Sequence, residues 1–276
     1  MVSGGDININ AANDILNQGD LLSAQNIILA GGKDVLNLSG KIEAGDKVSI
    51  DSRGNFVNET KKHTIDVGDS KNGFVKEYLR RVAQVKAGGD VTVNAYAINN
   101  IGAKISAKEN VKLASNGGKI VIASQSVKNS SALSKSKYKS INSNVKNVGS
   151  VIESGAKTEI SSVDDVNING SEIIAGGDAK IESLAGDINI ANAVDSSMEN
   201  EMRKSSGFLS SSHDETFHYK ESAKKSAIRS GGNLTLTSEV GDVTIRGSDI
   251  KTGKDFNIGD VKVAKNKDGS FKVNND

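Results

Sequence analysis

A short sequence pattern, the repeat phrase, recurs along the chain and restricts the folds that the chain can adopt. Each copy has a glycine, then an aspartate or a substitute, then apolar and polar residues in alternation. Such alternation predicts a half-buried strand. Glycine and aspartate before it predict a tight turn, because glycine accepts a positive φ and aspartate bonds to nearby backbone. The clearest copies are Gly5-Asp6-Ile7-Asn8-Ile9, Gly45-Asp46-Lys47-Val48-Ser49-Ile50, Gly89-Asp90-Val91-Thr92-Val93, Gly186-Asp187-Ile188-Asn189-Ile190 and Gly241-Asp242-Val243-Thr244-Ile245.

The spacing of these strands predicts how they are arranged. Ile7 and Ile27 lie 20 residues apart, Val166 and Ile188 lie 22 apart, and a second strand usually lies between them. We therefore expect an all-β fold, a right-handed parallel β-helix (solenoid) with about 20–22 residues per coil. Each coil buries its Ile, Val and Leu only by stacking on its neighbours, which places Asn and Thr outside. The absence of proline fits a ladder that needs nearly every backbone N–H.

Three insertions interrupt the repeat, at about 53–84, 124–152 and 194–229. The breaks lie 72 and 68 residues apart, which predicts a super-repeat of about three coils plus one inserted loop or hairpin. The remaining residues suffice for eight to nine coils, a rod on the order of 40 Å long. Residues 266–271 resemble a hairpin that would cover one open end of it. We expect 1–276 to be a single β-helical segment and a fragment of a longer protein.

The insertions differ from the coils in composition. They hold all three histidines and most of the aromatic residues, and residues 128–146 form a Ser/Lys-rich run without an acidic side chain. Each lysine near an anionic surface such as lipopolysaccharide contributes about 1 kcal/mol, although a flexible solvated loop has the same composition. Residues 74–85 suit a short amphipathic helix or a strand. The side chains that we expect to contact a cell envelope are Phe74, Tyr78, Lys135, Lys137, Tyr138, Lys139, Phe208, Phe217 and Tyr219.

Composition also excludes several classes of function. The 35 basic and 34 acidic residues nearly cancel, so no long-range field gathers nucleic acid. Without cysteine there is no disulfide, thiolate metal site or cysteine nucleophile. No apolar run approaches the roughly 18 residues of a transmembrane helix, and the first residues lack the pattern of a secretion signal.

Two groups of side chains deserve a test as metal sites. The aspartates Asp6, Asp46, Asp90, Asp178, Asp187 and Asp242 recur at the coil corner, but calcium-binding repeats space their glycines and aspartates more densely. His213 and His218 are five residues apart, which does not align them on a helix face. We predict turn capping for the aspartates and a solvated loop for the histidines, and we expect no catalytic residue, no cofactor and no metal.

The phrase and its interruptions resemble a known family. The glycine–aspartate strands, the coil of about 20 residues and the Ser/Lys-rich insertions are similar to the haemagglutinin repeats of filamentous haemagglutinin-like exoproteins. The second class of these repeats, found in contact-dependent growth-inhibition exoproteins of Gram-negative bacteria, is the more similar. The most specific stretches are Met202-Arg203-Lys204-Ser205-Ser206-Gly207-Phe208-Leu209-Ser210 and Ile228-Arg229-Ser230-Gly231-Gly232. The secretion domain with its Asn-Pro motifs and the toxin of that family have no counterpart in this sequence.

The resemblance implies a structural delivery segment, the stalk of a toxin exoprotein exported by two-partner secretion. Its partners would be the outer-membrane transporter of that system and the envelope of a target cell. It would be secreted or displayed on the bacterial surface as part of a longer exoprotein, since this chain alone has no signal peptide. One alternative is a haemagglutinin-type adhesin that binds host cells. A second is a β-helix polysaccharide lyase, although no paired carboxylates lie beside an arginine in the coils.

Overall fold

The computed structural model of the protein describes residues 1–259 and 261–263, and the hairpin predicted at 266–271 lies outside them. Every regular element in this described part is a β-strand. Three short strands make one coil, and each belongs to a different parallel sheet along the rod. Ile7 pairs with Ile27 and Ile27 with Val48, so consecutive coils stack in register. A parallel β-helix is therefore confirmed, and its right-handedness stays a prediction.

The strands are as follows, grouped by sheet. Sheet 1 contains Val2–Ser3, Asp20–Ser23, Lys41–Ala44, Gln84–Ala87, Lys104–Ala107, Val151–Ser154, Glu172–Ala175, Ala227–Ser230 and Asp249–Thr252, one for each of nine coils. Sheet 2 contains Ile7–Ala11, Ile27–Gly31, Val48–Ser52, Val91–Ala95, Val111–Ser115, Thr158–Ser162, Ala179–Ser183, Leu234–Ser238 and Phe256–Ile258, with Val261–Lys262 antiparallel at its end. Sheet 3 contains Ile15–Asn17, Val35–Leu38, Asn55–Glu59, Ala97–Ile101, Ile120–Ala123, Val166–Asn169, Ile188–Ala191 and Val243–Arg246.

The core is one continuous stack of aliphatic side chains inside the three sheets. Alternate residues of each strand point inward, as in Val91–Ala95, where the first, third and fifth residues are buried. Because coils pair in register, Ile27, Val48 and Val91 lie above one another and are almost fully buried. Each coil therefore covers the apolar side chains of the next, as expected of a solenoid.

The sequence pattern predicted that asparagine lies outside the coils, but four asparagines are buried. Asn17, Asn37, Asn58 and Asn100 occupy one inward position of sheet 3 in the first four coils. Each Nδ2 donates to the next Oδ1, over 2.8, 2.7 and 2.7 Å. An amide is both a donor and an acceptor, so identical amides at the coil repeat satisfy one another inside the core. Ile122 takes this position in the fifth coil.

Three of the five aspartates in the clearest copies of the repeat phrase, Asp6, Asp90 and Asp187, bond to the following coil rather than within their own turn. At the corner between sheets 1 and 2, Asp6 Oδ1 accepts the N–H of Asn26 over 3.0 Å. Asp90 does the same with Asn110 over 3.1 Å, and the hydrogen bonds from Asn110 hold the pKa of its carboxyl below the ordinary value. The later copies lie at a different corner, between sheets 2 and 3, where Asp187 accepts the N–H of Asp242 over 2.8 Å.

Asp46 departs from this pattern. The residue stacked above Asn26 is Lys47, whose N–H donates to Asn26 Oδ1, because the phrase has one extra residue here. Asp46 instead accepts the N–H of Gly89 through its backbone carbonyl, over 2.6 Å. The repeat phrase therefore occurs at two different corners of the coil, and its aspartate occupies two different positions relative to the coil below. The sequence suggested one corner and one position.

Four of the five glycines that precede the aspartates in the clearest copies of the phrase, Gly45, Gly89, Gly186 and Gly241, are needed for close contact between coils. A Cβ on Gly45 would lie 2.1 Å from the carbonyl oxygen of Ala24, and one on Gly241 would lie 2.6 Å from that of Gly186. Gly5, Gly45, Gly89, Gly186 and Gly241 all lack a positive φ. The positive φ that the turn signal predicted is therefore wrong at these five positions. Steric fit between coils is the physical reason for glycine at 45, 89, 186 and 241, whereas a Cβ on Gly5 would have no atom within 4 Å.

We expect Asn58→Ala to lower the free energy of unfolding by about 1–3 kcal/mol, because it removes one of the hydrogen bonds that Asn37 Nδ2 donates and leaves Asn100 Oδ1 buried without a partner. The matched control is Asn8→Ala, an exposed asparagine of sheet 2, for which we expect a change within about 0.5 kcal/mol. Denaturant unfolding followed by circular dichroism measures both. Equal effects of the two substitutions would contradict a stabilising amide ladder.

Candidate functional site

The three insertions are β-hairpins, and each is shorter than the spacing predicted. Hairpin 1 consists of Lys62–Gly68 and Gly73–Leu79, hairpin 2 of Gln125–Lys135 and Tyr138–Val148, and hairpin 3 of Ala193–Ser206 and Ser211–Lys224. The predicted bounds took in coil strands, since Phe56, Ile152 and Ile228 are fully buried core residues of sheets 3 and 1. Of the two structures considered for residues 74–85, the strand is present, at Gly73–Leu79.

All three hairpins leave the solenoid at the same corner, between sheets 3 and 1. They follow the third, fifth and seventh coils, so the super-repeat is two coils plus one hairpin and not about three coils. The intervals of 72 and 68 residues include the hairpin itself, which explains the miscount. In the second, fourth, sixth and eighth coils, which carry no hairpin, one residue with φ of 54–56° makes this corner, namely Ser39, Gly102, Gly170 or Gly247.

The two-coil period allows the hairpins to pair with one another. Two coils advance the rod by about 9.6 Å, and a hairpin adds two strands of the same combined width. Residues 73–76 of hairpin 1 pair antiparallel with residues 129–132 of hairpin 2, and residues 138–145 of hairpin 2 pair with residues 196–203 of hairpin 3. The result is one six-stranded antiparallel sheet, the hairpin sheet. Nothing in the sequence pattern predicted that the insertions join.

Side-chain hydrogen bonds strengthen the joint between hairpins 1 and 2. The Glu77 carboxylate accepts the N–H of Lys128 over 2.7 Å and the Nζ of Lys62 over 3.1 Å. The backbone N–H of Glu77 donates to Asn129 Oδ1 over 3.2 Å. The N–H of Lys128 is the main cause that holds the pKa of Glu77 below its ordinary value. Burial opposes it as the second effect, and the hydrogen bond from Lys62 adds to the lowering.

The joint between hairpins 2 and 3 has its own polar contacts. Asp195 Oδ1 accepts both the N–H and the Nδ2 of Asn147, over 2.7 and 2.9 Å. Nearer the tips, the Tyr138 hydroxyl donates to Glu201 over 2.9 Å, and the Arg203 guanidinium lies over the Tyr138 ring at 5.7 Å. Because contacts of this kind cross both joints, the hairpins form one surface rather than three separate loops.

A groove runs across the strands of the hairpin sheet. Cross-strand partners of an antiparallel pair share a face, and so do alternate residues of one strand, which places Phe74 and Tyr78 on the same face. Three neighbouring rows of cross-strand partners line the groove. The middle row, Val75, Ser130, Ser143, Met198 and Tyr219, belongs to one face of the sheet. The rows on either side of it belong to the other face and consist of Phe74, Ser131, Asn142, Glu199 and His218 and of Lys76, Asn129, Asn144, Ser197 and Lys220. We call the face that carries these two rows the groove face. Serine and asparagine line its centre, and charged side chains lie toward its ends.

The opposite side, the apolar face, carries aliphatic and aromatic side chains. Its members are Val75, Ile141, Val145, Met198, Phe217 and Tyr219. Ile141 is 47% exposed, and Phe217 and Tyr219 are each 57% exposed. The Tyr219 hydroxyl donates to the carboxylate of Glu221, which raises the pKa of the tyrosine.

The predicted contact residues are distributed over the whole hairpin sheet. Phe74, Tyr78, Lys135 and Tyr138 belong to the groove face, and Lys139, Phe217 and Tyr219 belong to the apolar face. Lys137 and Phe208 lie in the turns of hairpins 2 and 3, where Phe208 is fully exposed. Sequence reasoning missed Ile141, Val145 and Met198, which alternate with polar residues in strands and carry no signal of their own.

The described residues bring no group of candidate metal ligands together. Within residues 1–259 and 261–263, no three His, Asp or Glu side chains come close enough to hold an ion. His213 and His218 are exposed on the outer strand of hairpin 3, on opposite faces of the sheet. The described part of the chain also contains no helix long and apolar enough to cross a membrane.

Comparisons with known proteins agree with this architecture. Two families, both described as haemagglutinin repeat, match the chain, one over residues 2–60 and 64–132 and the other over 131–212 and 207–272. A hemolysin from Serratia marcescens is 22% identical over 292 aligned positions, which cover 96% of this chain and 18% of that protein. The chain thus spans about a fifth of the length of this relative. No solved structure matches significantly.

These matches cover more than half of the chain and define its class: it belongs to the haemagglutinin-repeat family. The resemblance based on the glycine–aspartate strands and on the 202–210 stretch is therefore confirmed at the level of the family.

We expect acid to weaken the joint between hairpins 1 and 2. The folded-state pKa of Glu77 is lowered, so its stabilising effect is complete above the unfolded-state value, about 4.3, and is lost as the pH falls through the folded-state value. In an NMR titration, the amide proton of Lys128 should shift with a midpoint below that ordinary value. Glu77→Gln should abolish the shift. A midpoint at or above the ordinary value would contradict the hydrogen bond.

Proposed function

We propose that this chain is part of the stalk of a secreted exoprotein exported by two-partner secretion, and that its hairpin sheet contacts the envelope of a target cell. The observation that carries the proposal is the convergence of three insertions into one exposed sheet. The similarity to a Serratia hemolysin supports the class of exoprotein. In this proposal the solenoid supplies length and the hairpin sheet supplies contact.

The outer surface of the solenoid is suited to a passive role. Outward side chains of sheet 1 form ion pairs between coils, as between Lys86 and Glu43 at 2.7 Å and between Lys104 and Glu153 at 2.6 Å. Such exposed pairs contribute little binding energy. Most of the exposed large apolar side chains in the described part lie instead on the hairpins, which favours the hairpin sheet as the interacting surface.

The tips of hairpins 2 and 3 suit an anionic surface with an apolar interior. Lys135, Lys137 and Lys139 lie at the tip of hairpin 2, and none of them has an ion-pair partner among the described residues. Phe208 and Leu209 project from the turn of hairpin 3 and are almost fully exposed. The two tips adjoin, since the N–H of Lys204 donates to the carbonyl of Lys137 over 2.8 Å. Lysines beside exposed apolar groups are typical of segments that bind anionic lipid surfaces.

The finer role that we propose is assistance in toxin delivery during contact-dependent growth inhibition. The similarity to repeats of that class over 202–210 supports it. Contact with the outer membrane of the recipient cell is the step that this segment would perform. The outer-membrane transporter of the secreting cell would be its partner before that step.

We expect the purified chain to float with Gram-negative outer-membrane vesicles in a density gradient, and Lys135→Gln/Lys137→Gln/Lys139→Gln to weaken this binding at least tenfold. Each lysine near such a surface contributes about 1 kcal/mol. The matched control, Lys33→Gln/Lys108→Gln/Lys112→Gln, makes the same change of charge at exposed positions of the coils. Equal losses in the two variants would contradict a specific role of the tips.

A second variant removes hairpin 3 without disturbing the coil. Replacing residues 192–225 with one glycine joins Ala191 to Ser226 as Gly170 joins Asn169 to Ser171 in the coil before. We expect the circular dichroism spectrum to stay that of a β-protein and vesicle binding to fall. Unfolding of this variant would contradict the division between solenoid and hairpins. If the intact chain binds host cells and not vesicles, it acts as an adhesin.

A further inference from the structure

We infer that the hairpin sheet continues across copies of the chain: the outer strand of hairpin 3 in one copy pairs with the first strand of hairpin 1 in a second copy. The interaction surface is a pair of sheet edges, and the partner is the same protein. This inference does not depend on the proposed contact with a cell envelope.

The hairpin sheet ends in two strands that have only one neighbour each. In the part of the chain that the structure describes, Lys62–Gly68 pairs only with hairpin 1's other strand, and Ser211–Lys224 pairs only with hairpin 3's other strand. All 14 residues of Ser211–Lys224 are exposed. Proteins usually shorten such an edge or interrupt it with proline or a bulge, and this strand is long, paired without a break and free of proline.

The hydrogen bonds that close hairpin 3 show which backbone groups face outward. The N–H of Gly207 donates to the carbonyl of Ser210 over 2.7 Å. Hydrogen-bonded pairs alternate along an antiparallel ladder, so the even-numbered residues from 212 bond inward. The odd-numbered residues, including Glu215, Phe217 and Glu221, therefore direct their N–H and C=O groups away from the sheet.

The same reasoning shows which backbone groups face outward on the other edge strand, Lys62–Gly68. The N–H of Asp69 donates to the carbonyl of Asn72 over 3.2 Å, and that of Arg80 donates to Lys61 over 2.8 Å. Odd-numbered residues of the first strand therefore bond inward. Lys62, Thr64, Asp66 and Gly68 direct their backbone groups outward, which gives a second row of unused donors and acceptors.

The joints inside the sheet already follow the rule that a second copy would repeat. At both joints, the second strand of one hairpin pairs antiparallel with the first strand of the next. The free edges are the second strand of hairpin 3 and the first strand of hairpin 1, so they complement each other under this rule. Because three coils precede hairpin 1 and coils eight and nine follow hairpin 3, the second solenoid would lie beside the first and not in line with it. The contact would be head-to-tail, which produces a growing row of copies rather than a closed dimer.

The faces of the sheet also match across the proposed joint. The outward-directed residues of hairpin 3 are odd-numbered and belong to the apolar face, as Phe217 does. The outward-directed residues of hairpin 1 include Asp66, which pairs with Val75 and belongs to the same face. Hydrogen-bonded partners across a joint lie on one face. The apolar and groove faces would therefore continue into the second copy without inversion.

The test is sedimentation velocity of the full chain over a wide range of concentration. We expect the average mass to rise with concentration for the native chain and to stay monomeric for Glu215→Pro/Glu221→Pro, because proline removes two outward N–H groups and keeps the inward ladder. The control Glu215→Ala/Glu221→Ala makes the same loss of charge and keeps both N–H groups, so it should associate like the native chain.

The unpaired edge of the first coil offers a competing route to association. In the first coil, the backbone N–H of Ile7 donates to the carbonyl of Asn26 in the second coil. The backbone N–H and C=O groups of Asn8 and Asn10 therefore point away from the second coil. Asn8→Pro/Asn10→Pro removes two of these N–H groups and so blocks pairing at the first coil. Loss of association in this variant, with the hairpin 3 variant unaffected, would overturn the inference, as would a native chain that stays monomeric throughout. Circular dichroism of each variant verifies that it folds.

The absence of cysteine permits a second measurement of orientation. Copies labelled at Thr64→Cys with a donor dye and copies labelled at Phe217→Cys with an acceptor should transfer energy when mixed. Two populations that are both labelled at Thr64→Cys should transfer less. Equal transfer in the two mixtures would overturn the head-to-tail arrangement.

Discussion

The hydrogen-bond ladder between coils sets one distance on which the rest of the structure depends. Paired strands lie about 4.8 Å apart, whether they belong to stacked coils or to a hairpin. Three hairpins placed two coils apart therefore arrive with their edge strands at pairing distance, as the contacts of residues 73–76 with 129–132 show. A hairpin on every coil would be crowded and one on every third coil would leave a gap, so the two-coil period is the one that a continuous antiparallel sheet requires.

The same ladder makes polar groups tolerable in the core and at the corners. A buried Asn58 has an identical amide above and below it, and the Asp187 carboxylate has the N–H of the next coil. In a globular domain each such group would need a partner of its own. In this solenoid, repetition at a fixed rise supplies the partner, since a donor and an acceptor at one position recur at the next.

The coils of the solenoid could be predicted from the sequence, but the pairing of the three hairpins into one sheet could not. Alternation in phrases such as Asp6-Ile7-Asn8-Ile9 and their spacing of 20–22 residues give the strands and the coil. Phe56 and Asn58 were misplaced because a strand without the glycine–aspartate phrase looks like an insertion, although register with Ile98 and Asn100 puts both in the core. Alternation marks which side chains share a face, but it does not specify which strands meet.

For the candidate site, composition identified the hairpins but not their organisation. An aromatic such as Phe217 in a polar insertion signals exposure, so the residues of the tips and edges were found. The pairing of Glu77 with the N–H of Lys128 joins residues that are 51 positions apart. Contacts at that distance depend on the rise of the coils between them, which no local pattern contains.

The hairpin sheet has a mechanical consequence. Its interstrand hydrogen bonds run along the rod, as do those between coils, and it is rooted in the third, fifth and seventh coils. A pull along the axis would load two sets of bonds side by side in this middle region, and only one set near the ends. The rod is therefore stiffest between the third and seventh coils, where both sets of hydrogen bonds resist the pull, and its terminal coils separate most easily.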